Sequence, residues 1–170
     1  MRIPMLLLFL FLSSPAFAQH NHATGTQPDE SGQSAFAAIA EIVTILRGDP
    51  NTDWSTVNIA ALRRHLVDMD LLTTEVAVDT IPRPGGARFE IRGSERSLEA
   101  VRAMVPAHAP FLAAETGWEV STEGLEDGMA LIVDGDPQQI QGLGFFGMMS
   151  IGAHHQEHHL MLAKGAQPHR

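Results

Sequence analysis

Not one of the 170 residues is cysteine. That excludes disulfide stapling, thiolate metal ligation and covalent haem attachment through C-x-x-C-H, so stability has to come from apolar burial. Basic residues are scarce too, 11 Lys and Arg against 20 Asp and Glu, for a formal net charge of −9. The balance becomes one unit more negative if Arg2 is lost with the leader described next. A chain so acidic lacks the basic face that nucleic acid requires. Long apolar runs are missing everywhere except at the start.

That start, MRIPMLLLFLFLSSPAFA, has the grammar of a secretory signal peptide. Arg2 is a short positive region, MLLLFLFL an apolar core too short to anchor in a bilayer, and Ala16-Phe17-Ala18 a small-x-small cleavage site. Residues 1–18 are therefore expected to be removed after Ala18, leaving a periplasmic or secreted chain of about 150 residues, enough for one domain. Residues 19–33 are polar and aperiodic and read as a disordered lead, and residues 166–170 as a tail. His20 and His22 in that lead could touch a metal or be incidental.

Residues 34–165 carry the patterning of a single α+β domain. SAFAAIAEIVTILRG is helical in period and ends on Gly48. NIAALRRHLVDMDLLTTE predicts a second helix capped by Asn58 or Ser55. EVAVDTIP and ARFEIRG, around RPGG, predict a hairpin. A helix capped by Ser94 follows, then a second hairpin from WEVSTEG, LEDG and MALIVDG. Asp136-Pro137 predicts the start of one long final helix reaching Gly165. GGARFEIRGSERSLEAV and DGMALIVDGDPQQIQGL match at one common offset, pairing Gly86 with Gly128 and Gly93 with Gly135. The same register brings His65 within one residue of His108. The expected architecture is a duplicated α-β-β unit: a four-stranded antiparallel sheet with helices on one face, closed by a long His-rich helix.

That last helix raises the functional question. Four of the nine histidines, His154, His155, His158 and His159, crowd into GAHHQEHHLMLAKG. At about 100° per residue they share one side of a helix with Met148, Ile151, Met161 and Leu162, while Ser150, Glu157 and Lys164 fall largely opposite. The histidine side is thus also an apolar side, which favours neutral imidazoles, the form that transition metals bind. His65 and His108 are expected to point into the same layer. Each has a methionine one turn away, Met69 and Met104, and Met148 precedes the cluster. Imidazole with thioether and no thiolate suits copper, especially Cu(I); zinc would accept the histidines with a carboxylate such as Asp68.

MMSIGAHHQEHHLMLAK is locally similar to the Met-His-His helix of exported, copper-associated four-helix bacterial proteins. The likeness covers only residues 148–164, and two hairpins do not fit an all-helical family, so neither fold nor sites are taken from it. His154–His158 also spells H-x-x-E-H, but no acidic ligand follows as a metalloprotease of that pattern would need. The glycines of QGLGFFGMMSIG lack the Lys and Ser/Thr of a phosphate loop and predict a break near Gly142–Gly147. Pro106 and Pro110 predict a kink beside His108. Non-covalent haem on His and Met remains open.

The expected function is binding and handling of a transition metal, copper or else zinc, with a periplasmic metal-receiving protein as a candidate partner. The alternative is a metal-dependent hydrolase or oxidase using Asp68 or Glu157 as base. A third reading is a metal-free interaction module with a histidine pH switch.

Overall fold

The structure, a computed structural model, describes residues 34–152 and 155–166, without the side chains of 155 and 156. Residues 1–33, where the leader and the disordered lead are expected, residues 153 and 154, and residues 167–170 of the expected tail lie outside the described residues. The elements run α1 (Ser34–Gly48), α2 (Ile59–Thr74), β1 (Val76–Arg83), β2 (Gly86–Gly93), α3 (Glu95–Thr116), β3 (Glu119–Leu125), β4 (Gly128–Asp134), α4 (Pro137–Met148) and α5 (His155–Ala163). The expected α+β class is what forms.

Local chemistry sets most of the boundaries. Asn58 caps α2 by accepting from the Ala61 amide, and Ser94 caps α3 by accepting from that of Ser97. Asp136 accepts from the amides of Gln138 and Gln139 ahead of Pro137, whose missing N–H is harmless in a first turn. α3 runs as one helix through Pro106 and Pro110 and stops at Gly117, whose φ of 70° is left-handed. Burial of Val101, Val105, Ala109 and Leu112 outweighs the helix bonds the prolines remove.

The strands form one antiparallel sheet in the order β1-β2-β4-β3, so the two hairpins meet along their second strands. Across that seam Ala87 faces Val133, Phe89 faces Leu131 and Ile91 faces Met129. Side chains alternate along a strand, so these six share the face that packs on Leu72 of α2, Leu98, Val101, Val105 and Leu112 of α3, and Ile140, Phe145 and Met148 of α4. The opposite face carries charge. Arg88 binds Glu90 and Glu123, and Arg92 binds Glu90, Asp79 and Asp127. Hydrogen bonds from Arg88 and then Arg92 hold the Glu90 carboxyl below its ordinary range.

α1 does not join that core. Its Ile42 and Leu46 pack with Leu62 and Leu66 of α2 and Ala163 of α5 in a second cluster. The Asn58 amide donates to the Ala163 carbonyl at 2.7 Å, pinning the end of α5 to the start of α2.

The single long final helix expected from Asp136 to Gly165 is two elements instead. Gly144 leaves helical geometry inside α4 (φ 61°, ψ −174°), within the glycine-rich stretch expected to break. A second break follows Met148, where Gly152 takes a left-handed φ of 68°. A Cβ on Gly152 would stand 2.9 Å from the Phe111 carbonyl oxygen, so the turn lies directly against α3. Glycines weaken a continuous helix, and this contact is available only to a chain that turns. The expected His-rich helix is therefore the short α5.

Candidate functional site

The cavity that stands out lies among α2, α3, the turn after α4, and α5, with a volume of about 220 Å³. α2 contributes His65 and Met69, one turn apart. α3 contributes Met104 and His108, also one turn apart. Met149, Ser150 and Gly152 line it from the turn after α4, and His158 from α5, while Phe111 and Phe146 sit at the rim, each about half exposed. Leu72, Thr73 and Ala107 complete the described lining. Three imidazoles and three thioethers thus share one space. Apart from the histidines, the described lining holds no ionisable side chain.

The imidazoles meet across the helices. The His65 and His158 rings have centroids 4.6 Å apart and planes tilted by 57°. His159 meets His65 edge-on at 5.5 Å and is itself buried at 6% exposure. The Nε2 atoms of His65 and His159 have essentially no contact with solvent. His108 is tethered differently: its Nε2 hydrogen-bonds the Met148 carbonyl at 3.0 Å, tying α3 to the end of α4.

Placement of the remaining candidates follows from the break after Met148. His65, Met69, Met104, His108 and His158 all line the cavity, whereas Met148 is fully buried in the sheet core and reaches the site only through its carbonyl. Met149 takes the lining position. Neighbours on a helix diverge by about 100°, so Met148 and Met149 face different surroundings. Phe111 and Phe146 were not singled out, although for Phe111 its place one turn from His108 was a usable signal. His159 stands behind His65 rather than on the wall. His154 lies outside the described residues, and His155 is placed only as the first residue of α5.

The two carboxylates considered as bases are elsewhere. Asp68 is ion-paired with Arg96, and Glu157 is exposed in the first turn of α5. Among the described residues there is no group of three or more His, Asp or Glu side chains placed to hold a metal ion. Nor is any described helix long and apolar enough to cross a membrane. Comparison with family models, with curated proteins and with solved structures returns no match.

Proposed function

We propose that this chain is an exported metal-binding protein that handles copper, with the cavity between α2, α3 and α5 as its site. One observation carries the reading. Segments far apart in the chain bring His65, His108 and His158 to the same walls as Met69, Met104 and Met149. Neutral imidazole and thioether are soft or borderline donors, which suit copper. A buried methionine is ordinarily core filler, but here the thioethers line a cavity beside imidazoles. His154 and His155, next to the cavity in sequence, are further candidate ligands, and His159 is a positioning residue behind His65. Zinc is the alternative ion. A carrier is favoured over a hydrolase because Asp68 is engaged by Arg96 and Glu157 faces solvent.

The signal-peptide pattern at residues 1–18 motivates the periplasmic location and, with it, a metal-receiving protein there as partner. We further propose that the domain is a duplicated α-β-β unit. In support, α2 and α3 end at the same offset that separates Gly86 from Gly128, and Phe89 pairs with its own equivalent, Leu131.

The test is metal analysis of untagged protein from the periplasmic fraction, with thermal unfolding in and out of copper. A metal bound only by the folded chain stabilises it by about 2.7 kcal/mol at a hundredfold excess over Kd. His65→Ala with His158→Ala should abolish that gain. No copper- or zinc-dependent shift in the wild type would sink both carrier and metalloenzyme, leaving the metal-free histidine module.

A further inference from the structure

We infer that the cavity selects a monovalent soft cation, Cu(I) or equally Ag(I), over divalent ions, and does so by charge as well as by donor softness. The inference rests on the metal-binding reading of this cavity and specifies which ion that reading admits.

No donor in the described lining is an anion: it offers the imidazoles of His65, His108 and His158, the thioethers of Met69, Met104 and Met149, and the hydroxyls of Thr73 and Ser150. An ion held there keeps its whole charge in a largely apolar surrounding. The cost of taking an ion out of water grows with the square of its charge, so a divalent ion faces about four times the penalty of a monovalent one. A carboxylate would compensate the second charge, but the Asp68 carboxylate is committed to Arg96. Glu157 is exposed and does not line the cavity.

Coordination number points the same way. Zinc takes four donors from nitrogen, oxygen and thiolate sulfur, and thioether is a poor substitute. The His65 and His158 rings, 4.6 Å apart between centroids, set two imidazoles beside each other at the cavity. Beyond them the walls offer mostly sulfur. Closed-shell monovalent ions accept two or three such donors without a hard ligand.

The experiment uses the full untagged mature chain, freed of metal and labelled with 13C at the methionine methyls. It is titrated with Ag(I) in chloride-free buffer, with Cu(I) held by a competing chelator under anaerobic reductant, and with Zn(II). Ag(I) and Cu(I) should each bind about a hundredfold more tightly than Zn(II) and shift the Met69, Met104 and Met149 methyls. Met104→Glu should raise Zn(II) affinity and lower that for Ag(I). Replacing the three methionines by leucine should cost Ag(I) affinity at least about tenfold with the apo melting temperature little changed. Should the triple variant fail to fold, Met104→Leu alone and the wild-type methyl shifts still decide the matter. Zn(II) binding as tightly as Ag(I) with the same methyl shifts would overturn the selectivity and leave the metal-binding reading standing. Binding of no ion at all would remove both. Ag(I) bound with the three methyls unmoved would also overturn the inference, because the ion would then sit elsewhere.

Discussion

His65 on α2 and His158 on α5 hold their rings 4.6 Å apart, tilted by 57°. A metal that binds both imidazoles requires each in the neutral form. Copper-dependent stabilisation should therefore be largest near neutral pH and fade as pH falls through the imidazole range, near ~6.5 for an unperturbed ring. Unfolding midpoints with and without copper, taken from about pH 7.5 down to about pH 5, check this. A gain unchanged across that range would exclude imidazole ligands.

The turn that delivers His158 depends on Gly152. Alanine there meets both a left-handed φ and the Phe111 carbonyl, so Gly152→Ala should destabilise by more than the ~1–2 kcal/mol of the backbone alone. Gly117 supplies the control, with a φ of 70° but open space around its Cβ. Gly117→Ala should cost only the backbone part and leave metal affinity intact. Urea denaturation of the two variants, side by side, separates strain from collision. Equal losses would show that the contact with α3 is unimportant.

Phe89 and Leu131 face each other at the middle of the sheet, at 0% and 1% exposure. Leu131→Ala should cost about 2–5 kcal/mol, because burial is lost and a cavity remains. Ile81, 43% exposed on edge strand β1, should tolerate the same change within about 0.5 kcal/mol. Equilibrium denaturation is the measurement. A small loss at Leu131 would mean that the sheet core collapses around the gap.

The outer sheet face predicts an acid response. Arg88 and Arg92 lower the Glu90 carboxyl in the folded chain, so the folded state binds that proton less readily than the unfolded one. The resulting stabilisation is present above the unfolded carboxyl range and is lost as pH falls through the lowered folded value. Glu90→Gln should accordingly weaken the fold at pH 7 and show a shallower loss on acidification below about 4.5 than the wild type. Parallel acid titrations, followed by circular dichroism, would expose any failure as superimposable curves.

Much of the architecture was legible because its signals are local. Asn58, Ser94 and Asp136 announce three helix starts through short-range hydrogen bonds, and alternation around RPGG and LEDG announces both hairpins. His65 and Met69, and Met104 and His108, could be paired from helical spacing alone. What those pairs face could not. The strand order, which sets Phe89 against Leu131, is a long-range pairing that no local pattern encodes. The last helix misled for the same reason: Asp136-Pro137 and helical periodicity favour continuing to Gly165, while close packing of Gly152 on α3 favours turning. Tertiary contact decided that competition. It turned Met148 into the core, put Met149 on the cavity wall, and set His158 beside His65. The sequence by itself determined which side chains carry donor chemistry and where helices begin; only the packing of α2, α3, the turn after α4 and α5 around one cavity decided which of them meet.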